Sequence, residues 1–133
     1  MILGFTGTRD GMTRLQQALF VGVLARLCPE EFHHGDGLEA DAQAHNMVRQ
    51  HVPRCRIIIH PPTNDALRAF CEGDEIRAPQ PYLIRNLAIA ACVDELAAAP
   101  KTSVEELRSG TWATVRYARR ALKPVHILKP WDR

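Results

Sequence analysis

The sequence predicts an α/β protein: a doubly wound parallel sheet of about five strands, helices on both faces, in a single domain over residues 1–133. Three observations carry this prediction. Short apolar segments alternate with segments of helical period, as in chained βαβ units. The clearest strand, Ile57-Ile58-Ile59, is a continuous β-branched run of the kind a parallel sheet covered on both faces requires. The chain has 133 residues, 46% hydrophobic and 24% charged, with eight Gly and nine Pro. That is the length of one domain, and the composition excludes disordered, collagen-like and low-complexity classes.

In chain order, Met1 to Thr6 is an apolar run without helical period, read as a buried strand, and Gly7-Thr8-Arg9-Asp10-Gly11 is its turn. Thr13 and Gln16 have the spacing of a capping box. Behind them Leu15, Leu19, Phe20, Val23, Leu24 and Leu27 form one helical face, ended by Pro29. Glu31 to His34 is a short strand closed by Gly35-Asp36-Gly37. A second helix is predicted from about Leu38 to His51, with Ala40, Ala44, Met47, Val48 and His51 inward and Pro53 as its stop. Arg56 to His60 is the third strand.

From Pro61 to Pro81 the chain is polar and broken by prolines, with one helical turn around Ala66 to Phe70. Its length marks a candidate lid loop. Tyr82 to Cys92 reads as a helix. For residues 93–99 propensity favours extending that helix, whereas the element order and Pro100 favour a strand over Glu95 to Ala99. The strand is the reading adopted. Ser109-Gly110-Thr111 opens a last helix with Trp112, Val115, Ala118 and Leu122 inward, and Val125 to Leu128 is the last strand.

Seventeen basic against fifteen acidic residues leave a net charge of +2 and a pI near 8.5. A polymeric nucleic-acid partner is not expected, because such surfaces are strongly and locally basic. No apolar run reaches the roughly 20 residues of a membrane span, and the opening residues lack the features of a secretory signal. Cys28, Cys55, Cys71 and Cys92 include no CxxC pair. Reduced thiols in a cytoplasmic protein are therefore expected. The Ala-rich stretch 88–99 and Trp112 offer apolar surface for a homo-oligomer.

Ligands of open parallel sheets bind beyond the carboxyl ends of the strands, near helix N-termini. In this chain those positions gather glycines and hydroxyls: Gly4 to Arg9, then His34-Gly35-Asp36-Gly37, then Ser109-Gly110-Thr111 with Thr114 beyond. Small residues let backbone N–H groups approach an anion, and Arg9 and Arg85 offer bidentate contacts to a phosphate. Arg85 in the first turn of its helix is unfavourably placed for the helix dipole unless an anion compensates. No GxGxxG or GxxxxGK[ST] motif is present, which argues against an ordinary dehydrogenase or P-loop NTPase. A metal site is not expected: His33, His34, Asp36 and a distant His60 would have to converge, and adjacent strand residues face opposite ways.

The segments Gly4-Phe5-Thr6-Gly7-Thr8-Arg9, His34-Gly35-Asp36 with Asp41 beyond, Arg85-Asn86, and Ser109-Gly110-Thr111 with Lys123-Pro124-Val125 together resemble the SLOG superfamily. That group includes DprA/Smf proteins, LOG phosphoribohydrolases and small stand-alone nucleotide-binding members, the last being the most similar in extent. The resemblance implies a Rossmann-like sheet and a small nucleotide or nucleotide-derived ligand, with no other cofactor. It places Thr6, Gly7, Thr8, Arg9, Gly35, Asp36, Arg85, Ser109, Gly110, Thr111 and Thr114 around that ligand, the Ser-Gly-Thr loop gripping phosphate. The chain departs from the hydrolase pattern PGGxGTxxE, since Thr114 stands where Glu is expected and Leu107-Arg108-Ser109 replaces Pro-Gly-Gly. Thr cannot act as a carboxylate does. A sensor or binding protein is therefore expected. The alternative is an enzyme acting on N-glycosidic bonds through a displaced carboxylate, Asp36 and Asp41 being the first candidates and Glu105 and Glu106 the others. Asp41 has a second reading, as a charge stabilising the start of its helix.

Overall fold

In the computed structural model, residues 1–131 are described. Six parallel strands form one sheet: β1 (Ile2–Gly7), β2 (Glu31–His34), β3 (Arg56–Ile59), β4 (Glu75–Ile76), β5 (Glu95–Ala99) and β6 (Val125–Ile127). Their spatial order is β4-β3-β2-β1-β5-β6. Four helices connect them: α1 (Arg14–Leu27), α2 (Ala40–His51), α3 (Tyr82–Cys92) and α4 (Gly110–Arg120). The chain winds outward from β1 through β2 to β3 and β4, then returns to the far side of β1 for β5 and β6. This is an α/β, Rossmann-like sheet. No helix among the described residues is long and apolar enough to cross a membrane.

Strand alternation distributes the core. Leu3, Phe5, Phe32, Ile57, Ile59, Ala97 and Ala99 point to one face, where Phe20, Val23 and Leu24 of α1 and Ala40, Ala44 and Val48 of α2 cover them. Leu96 and Ala98 point to the other, against Ile89 and Ala90 of α3 and Trp112, Val115 and Ala118 of α4. Residues 93–99 supply a strand rather than more helix because Leu96 to Ala99 are wholly buried between the two helix layers. Alanines suit that position, since small side chains let helices lie close on the central strands.

The local signals are realised with defined exceptions. Thr13 caps α1 in a complete capping box. The buried face of α1 is Gln16, Phe20, Val23 and Leu24, and Leu19 of the expected stripe is exposed. Gln16 is buried because its amide donates to the carbonyls of Pro100 at 2.7 Å and Leu128 at 3.0 Å. On α2 the buried side is Ala40, Asp41, Ala44, His45 and Val48, with His51 exposed. Leu122 is exposed because α4 ends at Arg120 and Leu122 turns with φ 59°. Trp112 is buried, as is most of 93–99. Exposed apolar side chains are found instead on α3, at Leu83, Ile84 and Leu87.

The sixth strand, β4, lies inside the segment expected to be a loop. Asp74 N–H donates to Ile57 O at 2.8 Å and Arg77 N–H to Ile59 O at 2.9 Å, binding two residues of polar sequence to the edge of β3. The helical turn in that segment is 3₁₀, over Asp65–Leu67, capped by Asn64.

Candidate functional site

The strand order reverses between β1 and β5, and beyond their carboxyl ends an open crevice of about 540 Å³ is formed. Thr6, Gly7, Thr8 and Arg9 come to it from the end of β1. Gly35 comes from the β2–α2 connection, Asp41 from the first turn of α2, Arg85 from α3, and Ser109, Gly110 and Thr111 from the start of α4. Positions spread over the whole sequence thus share one cleft. The N-cap Ser109 accepts from Trp112 N–H at 3.2 Å, which fixes the first turn of α4 and leaves its leading amides directed outward.

Two of the proposed site residues do not line the crevice. Asp36 is fully buried with a φ of 54°, and this left-handed turn aims its carboxylate behind the loop. There Oδ2 accepts from Arg68 Nε at 2.7 Å and Oδ1 from Cys71 N–H at 2.9 Å. Asp36 thereby clamps the 61–81 segment to the sheet. Thr114 is also fully buried, its hydroxyl donating to Gly110 O at 3.0 Å. One helical turn carries it from the crevice into the contact with the sheet.

The 61–81 segment forms a wall rather than a free flap. Pro62, Thr63, Asn64 and Leu67 face the crevice. Ala69 N–H donates to Asp36 O at 2.8 Å and Gln80 N–H to Pro61 O at 3.1 Å, so the wall is tied along its length.

Arg85 is 7% exposed. Its guanidinium donates to Asn86 Oδ1 at 2.7 Å and to the carbonyl of Gly35. A Cβ at Gly35 would overlap that guanidinium, so glycine there lets Arg85 take this position. No carboxylate of the described residues comes within ion-pair distance of Arg85. Burial depresses its pKa, and the more distant Asp41 opposes that effect. A buried cation held only by neutral acceptors is costly, and an anion in the cleft would offset that cost.

Asp41 is the opposite case. Its Oδ2 accepts from Gly37 N–H at 2.8 Å, while the buried Oδ1 has no hydrogen-bond partner among the described residues. Burial raises its pKa to about 6 despite the field of Arg85. The backbone before it is strained: Glu39, at the N-cap, has φ 65° and ψ −94° and gives α2 no side-chain cap.

Sequence reasoning missed Tyr82, Asn64, Lys101 and Arg108, which line the cleft together with Asn86 of the resemblance and the candidate carboxylate Glu106, whereas Glu105 pairs with Arg116 at 2.9 Å. Tyr82 is the most informative. Arg9 and Arg85 both lie over its ring, at 5.8 Å and 5.4 Å from the centroid, and a Cβ on Gly110 would overlap its hydroxyl. Its signal was an aromatic residue one turn before Arg85 at the mouth of the same helix. Lys101 and Arg108 were legible only as cations in a loop following a strand.

The histidines divide as strand alternation requires. His33 meets His60 on the α3 face, while His34 meets His45 of α2 on the other. Burial lowers the pKa of all four, that of His60 to about 3.

No protein-family model matches the chain, and no curated protein matches it. Among solved structures it is similar to the X-ray structure of TM1055, Northeast Structural Genomics Consortium target VT76, with a TM-score of 0.62 and 13% identity over 93% of this chain and 71% of that one. At that identity the likeness establishes the α/β, Rossmann-like fold and nothing narrower.

Proposed function

We propose that the chain binds a nucleotide or nucleotide-derived small molecule in the crevice, as a sensor or binding protein of the SLOG type. The observation that carries this reading is Arg85, a buried guanidinium at the cleft without a carboxylate partner among the described residues. Arg9, Lys101 and Arg108 add positive charge at the same opening. The open amides at the start of α4 and the Ser109 hydroxyl complement a phosphate. Asp41 lines the same cleft and brings a carboxylate toward a ribose hydroxyl or a base amine. A cleft of about 540 Å³ suits a ligand of mononucleotide size. The four free cysteines support a reducing, cytoplasmic setting.

The test is a thermal-shift series with inorganic phosphate, mono-, di- and cyclic nucleotides and ADP-ribose. A ligand at a hundredfold excess over Kd should stabilise by about 2.7 kcal/mol. Thr111→Arg, which fills the opening of α4, should abolish that shift. No stabilisation by any compound, or an undiminished shift in the variant, would sink the reading.

A second reading is favoured by Asp41 alone: an N-glycosidic-bond enzyme whose displaced carboxylate is a buried group titrating near 6 with one free oxygen. Asp36 cannot take that part, since both its oxygens are engaged behind the cleft. Release of free base from a nucleotide panel, lost in Asp41→Asn, would establish turnover. Binding without release would leave the sensor reading in place.

A further inference from the structure

Beside the crevice, none of them lining it, His33, His60 and Cys92 bring three ligand atoms within 4.8 Å of one another. We propose that His33 Nδ1, His60 Nε2 and Cys92 Sγ form a binding site for one zinc-type divalent ion, with a fourth position left for water or another small ligand.

The hydrogen bonds around the cluster prepare it for this. His33 Nε2 lies 2.7 Å from Glu31 Oε1. A carboxylate only accepts, so Nε2 carries the proton and Nδ1 presents its lone pair inward. A carboxylate behind a ligating histidine is the usual orienting partner in such sites. His33 Nδ1 and His60 Nε2 are 2.7 Å apart, sharing the proton of His60. Tetrahedral zinc with Zn–N bonds of about 2.0–2.1 Å separates two nitrogens by roughly 3.3 Å. A movement of a few tenths of an ångström in two side chains therefore admits the ion. His60 then carries its proton on Nδ1, the Cys92 thiol releases one proton to solvent, and the metal takes the three lone pairs. No oxidant or reductant is needed.

Cys92 is held from behind as well. Arg77 Nη1 donates to its sulfur at 3.3 Å, and Arg77 Nε donates to Glu75 Oε2 at 2.9 Å. Glu75 Oε1 accepts from Arg56 at 3.0 Å, and Arg56 lies 3.6 Å from Glu31. A closed chain of charged side chains thus links the group that orients His33 to the group that holds Cys92.

A neighbouring cluster supplies the control. His34, His45 and Cys71 are equally close on the opposite face. There His34 Nδ1 accepts from Asp36 N–H at 2.9 Å, so Nε2 carries the proton and donates to His45 Nδ1 at 3.0 Å. Its nitrogens are committed, and burial with the adjacent Asp36 pushes the Cys71 thiol up to about 12. Each cluster holds one proton between its two imidazoles, but His34 Nδ1 is occupied by the Asp36 N–H and cannot take that proton. Only the first cluster can therefore turn two imidazole lone pairs to a common point, by moving the His60 proton to Nδ1.

The full chain, stripped with a chelator, is titrated with Co²⁺ as a spectroscopic probe and then with Zn²⁺ as competitor. The expected result is one ion per chain, with a near-ultraviolet thiolate-to-cobalt band that Zn²⁺ bleaches. Cys92→Ser should remove the band, Cys71→Ser should keep it, and Glu31→Gln should weaken binding by about 10- to 100-fold. In the unmodified chain, Zn²⁺ should also slow alkylation of Cys92 but not of the exposed Cys28. No band together with unprotected Cys92, or a band that survives Cys92→Ser, would overturn the proposal. Neither readout depends on a nucleotide in the crevice.

Discussion

Arg85 and Asp41 set the electrostatics of the crevice from opposite sides. One is a cation kept charged in a buried place, and the other is a carboxyl whose ionisation burial resists. The Asp41 effect has a measurable sign. Its folded pKa, about 6, lies above the ordinary aspartate value of 3.8. The folded state therefore holds a proton that the unfolded state has lost, and stability falls as pH rises from about 4 to about 6. At 1.36 kcal/mol per pKa unit this amounts to about 3 kcal/mol. Asp41→Asn has no such proton to lose. Urea unfolding across that pH range should show the decline in the parent protein and a flatter profile in the variant, the two agreeing near pH 4. A parallel decline in both would exclude Asp41 as its source. Both residues are legible in the sequence as polar side chains near a predicted ligand edge. What was not legible is Asp36, because a φ of 54° decides where its carboxylate points and no sequence pattern specifies that angle.

Among the elements, the 61–81 segment gains most from tertiary contacts. Its polar, Pro-rich sequence has no strand signal, yet Glu75–Ile76 become β4 because the edge of β3 offers unpaired backbone groups. The Asp36–Arg68 pair fixes the other part of the wall, with side chains 0% and 13% exposed. Asp36→Asn keeps an acceptor for Cys71 N–H but strands the Arg68 charge in a mostly buried place. A loss on the order of 3 kcal/mol is expected, since breaking a buried pair costs about that much. Hydrogen exchange should accelerate first at the Ala69 and Cys71 amides, which bond to Asp36. Unchanged exchange there would show that the wall is held by other contacts. Helix α2 shows the same dependence on neighbours. Periodicity placed Met47 and His51 inward: Met47 does pack against the core, but His51 is exposed, and His45 is buried instead because His34 of β2 lies beside it at hydrogen-bonding distance.

For the molecule as a whole, the sheet is assembled from two windings that meet at β1, and Gln16 joins them. Its amide, on a helix of the first winding, bonds the carbonyls just beyond β5 and β6. Gln16→Ala would leave two buried carbonyls without that donor. A destabilisation of about 2–4 kcal/mol is expected, seen as a lower denaturation midpoint with an unchanged slope. A negligible change would mean that water replaces the amide.

The order of the four helices and of every strand except β4 was legible in the sequence, because apolar runs, helical periods, caps and prolines act over a few residues. At residues 93–99, however, the element order had to outweigh local helix propensity. The same local signals brought Thr6 to Arg9, Arg85 and Ser109 to Thr111 to the strand ends, where a parallel sheet opens its cleft. Tertiary structure alone decided which polar side chains face that cleft, that a sixth strand forms, and which imidazole nitrogens of the two His-His-Cys clusters are tied to fixed hydrogen-bond partners. Those outcomes rest on backbone dihedrals, edge hydrogen bonds and imidazole tautomers. Each is set by a partner distant in sequence, and no local pattern encodes it.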